Sequence, residues 1–129
     1  MAMSGNETYG PGKPRYAERV KALEWTQWLW GLAKKHAERV CLENPVSAIF
    51  NLIHSVQYVE PWWFGHAETK RTGLALFNLP KLTPTQIMNP VHSRIHGMSP
   101  SATRSRDRAQ TSTGLAAAMA DQWGGLDGY

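Results

Sequence analysis

Between residues 15 and 40 the apolar positions recur three and four residues apart, a spacing that predicts one long helix. Ala22, Trp25, Leu29, Leu32 and Ala33 form one stripe on it, and Tyr16, Val20, Leu23 and Trp30 an adjoining one. A helix apolar over so much of its surface is expected to be covered on more than one side. Pro14 stands where such a helix can begin, because first-turn N–H groups have no intrahelical partner. Gly31 either costs stability or permits close packing.

The period then shortens. Residues 39–44 (RVCLEN) read as a short strand ending in polar residues, and 45–53 as a short helix that tolerates Pro45 at its start. Alternation over 55–61 predicts a second strand, and the apolar run 73–79, bounded by Gly73 and Pro80, a third. Residues 82–90 form a proline-punctuated loop, 92–98 a short edge strand, and 99–113 a polar, basic stretch. Residues 113–123 close the chain as a helix capped by Thr111, Ser112 or Thr113. The expected organisation is a flexible lead-in over 1–14, one α/β domain over 15–124 and a tail over 125–129. A helix running into a buried strand is half of an α/β crossover unit, and ligands bind beyond the carboxyl ends of such strands. Glu43 and Asn44 fall there by this reading.

Composition narrows the class. The 129 residues suffice for one compact domain, and 42% hydrophobic residues with six tryptophans exclude global disorder. One cysteine excludes an internal disulfide framework and any paired-cysteine zinc site. The start is polar, and no apolar stretch approaches the roughly 20 residues of a membrane span. The expectation is a soluble cytoplasmic protein with no membrane partner. Net charge is +4, and from Lys81 to Gln110 the cations Lys81, Arg94, Arg104, Arg106 and Arg108 face one acid, Asp107. Such an excess favours an anionic partner, nucleic acid above all; its bland counterpart is a solvated basic face.

Several side chains carry candidate chemistry, each with a plainer alternative. Glu43 and Asn44 suit polar recognition at a strand end, or else Asn44 caps the next helix while Glu43 pairs with an arginine. Cys41, inside an apolar strand, is expected to behave as a small hydrophobe. His54, His66, His92 and His96 could be gathered round a metal, but Arg94 between two of them opposes a cation and no carboxylate completes the set, so no metal is expected. In the stretch PWWFGHAETK, Trp62, Trp63 and Phe64 suit a core, while His66, Glu68 and Lys70 beside Trp63 suit a pocket or a polar turn. Arg104, Arg106 and Arg108, with Arg94, could meet backbone phosphates.

Three segments in order, LENPVS, PWWFGHAETKRTGLALFNLPKLTPT and RIHGMSPSATRSRDRAQTSTGLAAAMADQW, resemble the C-terminal half of a phage and bacterial family described as DNA cytosine methyltransferase-like. The resemblance runs from about Ser4 to Trp123. It implies a partial Rossmann-like methyltransferase domain, helices packed on a short mixed sheet, with S-adenosylmethionine as cofactor and DNA as partner. Glu43 and Asn44 match the Glu-Asn pair of cytosine-5 methyltransferases, where the glutamate holds the N3 edge of a cytosine while a cysteine attacks the ring. Hydrogen bonding at N3 stabilises the charge that develops on attack, and the base must be flipped out or single-stranded. The last helix resembles the segment that returns to the cofactor site. The family's cofactor loop and Pro-Pro-Cys nucleophile have no counterpart in this sequence. The expectation is therefore a truncated or split enzyme, inactive as an isolated chain, completed by a second chain or a homo-oligomer. The alternatives are a non-catalytic nucleic-acid- or protein-binding phage accessory protein and a small nucleotide-binding protein.

Overall fold

A computed structural model describes residues 12–13, 15–90 and 111–126. Its elements are α1 (Tyr16–His36), β1 (Val40–Pro45), a 3-10 turn (Ala48–Leu52), β2 (Val56–Val59), a second 3-10 turn (Pro61–Trp63), β3 (Thr72–Phe77) and α2 (Thr113–Trp123). The chain divides into two compact units. One takes the described residues through Tyr58 with Thr72–Leu79, the other Val59–Arg71 with those from Pro80 onward. The expected strand at 92–98, and Arg94, Arg104, Arg106 and Arg108 with it, lie outside the described residues.

The first unit is mixed α/β: α1 is joined with a three-stranded antiparallel sheet in the order β1-β3-β2. Its central strand β3 is buried from Thr72 to Leu76, which explains why TGLALF reads as a continuous apolar run rather than an alternating one. Register is fixed by Val40 opposite Phe77 through Pro45 opposite Thr72. Val40, Leu42 and Phe77 face a core of Trp30, Ile49, Phe50 and Ala75, completed by Leu23, Ile53, Val56 and Tyr58. Phe50 meets Tyr58 edge-on, with ring centres 5.9 Å apart. Gly73 admits Phe50, since a Cβ there would come within 2.2 Å of the ring.

Two expectations about α1 are corrected. The helix stops at His36 rather than at residue 40, because Val40 is drawn into pairing with β3. Asn78, at φ 55°, donates from Nδ2 to the Glu38 carbonyl at 2.8 Å and pins the connection. The helix is also covered on one side only. Arg19, Thr26 and Trp30 are buried and Leu23 packs beside them, but Trp25 and Trp28 are each 59% exposed. The buried Thr26 hydroxyl is satisfied by the Ala22 carbonyl one turn back, at 2.8 Å.

In the second unit, Val59, Phe64, Leu82, Leu115 and Ala118 are buried. Residues 61–65 run alongside 85–88: the Trp63 carbonyl accepts from Thr85 and Gln86 at 3.1 Å each, and Gly65 N–H donates to the Gln86 carbonyl at 2.8 Å. Gly65 takes φ 91° to do so, a backbone region that favours glycine. Among the described residues no helix is long and apolar enough to cross a membrane.

Candidate functional site

Glu43 and Asn44 lie within β1 and not beyond its end. They pair with Leu74 and Gly73, and the ladder continues to Pro45. Proline is admissible there because β1 is an edge strand and the missing N–H can point away from β3. Successive strand residues face opposite sides of a sheet, so the two side chains diverge. Asn44 shares the core side with Leu42, whereas Glu43 lies with Cys41 across from Leu74 and Leu76. Glu43 is half-buried on an apolar face whose Leu74 is fully buried. Nor does Asn44 cap the following turn. Ser47 does, its hydroxyl accepting from Ile49 N–H at 3.4 Å.

Cys41 sits on the same face as Glu43. Burial first, and the Glu43 carboxylate second, push its thiol up to about 11. At neutral pH it is a thiol and a poor nucleophile, as its apolar setting in the sequence predicts.

The stretch PWWFGHAETK is organised by Glu60, which sequence reasoning passed over. Its Oε1 accepts from the Lys70 backbone N–H at 3.0 Å and its Oε2 from Trp62 Nε1 at 3.4 Å, closing the loop on itself. Trp62 and Trp63 meet edge-on, and Trp63 lies tilted against Phe64. Trp63, His66, Glu68 and Lys70 are all half-buried. His66 turns toward α2: its Nε2 accepts from Gly114 N–H at 3.1 Å and lies 3.2 Å from Thr113 Oγ1. Ser112 adds its own cap, accepting from Leu115 N–H at 3.3 Å. Gly114 is required at this junction, since a Cβ would stand 2.1 Å from the Phe64 carbonyl oxygen. The far end of α2 is tied by Gln122, which accepts from Thr83 N–H and donates to the Thr83 carbonyl, and by Trp123 Nε1 on the Pro80 carbonyl.

Of the residues singled out from sequence, the structure therefore groups Glu43 with Cys41 in one unit and Trp63, His66, Glu68 and Lys70 in the other. Gly114 was detectable in principle, as a glycine in the first turn of a capped helix signals a close approach. Glu60 and Gln122 carry no such local sign. Among the described residues no three His, Cys, Asp or Glu side chains are placed to hold a metal ion. No protein-family profile matches the chain, and neither a curated protein nor a solved structure matches it.

Proposed function

We propose that this chain carries the base-recognition part of a DNA cytosine-5 methyltransferase-like protein, with the attacking nucleophile supplied from outside these residues. The observation that carries the reading is Glu43, a half-buried carboxyl on an apolar sheet face, beside a cysteine whose thiol is held protonated. A carboxyl in such surroundings suits an unstacked pyrimidine edge. With one proton shared between Glu43 and N3, cytosine offers two hydrogen bonds, through N3 and the N4 amino group. Thymine offers a single N–H flanked by two carbonyls. Cys41 does not supply the thiolate. Asn44, on the other side of β1, acts in this reading through the strand and not on the base.

The described residues do not fit S-adenosylmethionine by themselves. A nucleotide-type cradle is a glycine-rich turn leading from a strand into a helix, and among the described residues β1 and β2 lead into 3-10 turns and β3 into an extended loop. No cofactor step is assigned to this chain. A partial Rossmann-like fold belongs to the same proposal: α1 leading into β1 supports it, and it asks for a parallel strand on the edge of β1 away from β3. That strand is not among the described residues.

A second reading, a non-catalytic DNA-binding protein, is favoured by the net charge of +4, which suits an anionic backbone. Calorimetric titration with oligodeoxycytidine and with oligothymidine of equal length separates the two. Base recognition predicts a tenfold or greater preference for oligodeoxycytidine. Equal affinities, falling together with salt, would leave backbone binding alone. The same titration with S-adenosylmethionine is expected to show no binding until a second polypeptide is present.

A further inference from the structure

We propose that the outer face of α1 is a self-association surface on which a second copy of this chain docks antiparallel. The helix carries two stripes. The inner one, Arg19, Leu23, Thr26 and Trp30, packs in the first unit. The outer one, Glu18, Lys21, Trp25, Trp28, Leu32 and Lys35, alternates steps of three and four residues, the spacing of a coiled-coil seam. Its centre is apolar and open: Trp25 and Trp28 are each 59% exposed and Leu32 38%. Its ends are charged and exposed, Glu18 near the start and Lys35 with His36 in the last turn.

That charge distribution selects the occupant and its direction. A parallel copy would set Glu18 beside Glu18 and Lys35 beside Lys35. An antiparallel copy sets Glu18 opposite the second copy's Lys35, Trp25 opposite its Trp28 and Leu32 opposite its Lys21. All three layers are consistent with one register. The Lys21 stem can lie along Leu32 while its ammonium reaches water. Arg15 holds Glu18 at 2.7 Å within its own helix, and with Glu18's side chain 59% exposed that pair leaves the carboxylate accessible. An indole offers on the order of 150–250 Å², so each copy presents a few hundred Å² of apolar surface. A lasting interface needs about 800 Å² per partner. A dimer that forms and dissociates over micromolar concentrations follows.

The full chain is examined by sedimentation velocity from about 1 to 200 μM, the range in which a small interface exchanges. The expected result is a mass rising from 14.5 kDa toward twice that value. Trp28→Glu is expected to weaken association at least tenfold with its helical circular dichroism retained, and Glu18→Lys severalfold. Glu18→Lys combined with Lys35→Glu restores it, because the pair is re-formed with signs exchanged. Should Trp28→Glu unfold, Leu32→Gln serves in its place. A monomer at every concentration, a dimer indifferent to Trp28→Glu or Leu32→Gln, or a double variant no better than Glu18→Lys alone would each overturn the proposal. None of these readouts depends on nucleic-acid binding.

Discussion

The first unit gathers Trp30, Ile49, Phe50 and Ala75 into one apolar cluster under a register-locked sheet, whereas the second ties its helix down with side-chain hydrogen bonds across 39 to 48 residues of sequence. Apolar burial is non-directional and tolerates substitutions that conserve volume and pattern. Long-range polar ties depend on the identity of each partner, since a hydrogen bond forms only between a matched donor and acceptor in a set geometry. The two regions should therefore fail differently when mutated. In the first, loss should scale with volume; in the second, with the hydrogen bond removed.

The largest effect is expected from Phe50→Ala, which empties the centre of the first cluster and should cost about 3–5 kcal/mol in urea unfolding. A loss below 1 kcal/mol would mean that the cluster does not hold the unit. Gly114→Ala comes next. Its Cβ would meet a backbone oxygen that can move only with the chain, so a loss of roughly 1–3 kcal/mol is expected, with faster hydrogen exchange in the first turn of α2. His66→Ala should cost about 1–2 kcal/mol and accelerate exchange at the Gly114 amide while leaving α1 unaffected. Uniform acceleration across both units would remove the distinction drawn between them.

The effect that vanishes at neutral pH concerns Cys41. A thiol pushed up to about 11 from the ordinary 9.0 contributes stability that is fully present below pH 9 and is lost as pH rises toward 11. Iodoacetamide labelling should accelerate with an inflection near 11, and Glu43→Gln should move that inflection down, though by less than unfolding does, since burial is the larger cause. An inflection near 9 would place the thiol in water.

The same contrast separates what was legible in the sequence from what was not. The core of α1, the three strands and the Ser112-capped helix α2 follow from periodicity and turn chemistry, because apolar burial leaves a repeating signature. The C-terminal end of α1 was not legible: neither glycine nor proline stops it, and strand pairing at Val40 overrides local propensity. Pro45 misled in the other direction. It looks like a strand terminator, yet an edge position accommodates it, so Glu43 and Asn44 appeared as a joint site when they occupy opposite faces. The role of His66 could not be read locally because its partner, Gly114, is 48 residues away. The exposure of Trp25 and Trp28 was equally hidden, since an apolar stripe in sequence does not say whether anything covers it.

Replacing Glu43 tests most directly the proposal that its carboxyl reads the base. Fluorescence anisotropy with labelled oligodeoxycytidine and oligothymidine should show Glu43→Ala lowering affinity for the first at least tenfold while leaving the second unchanged, with the thermal midpoint of the variant recorded alongside. Equal losses for both, or no loss for either in a variant that remains folded, would contradict the assignment.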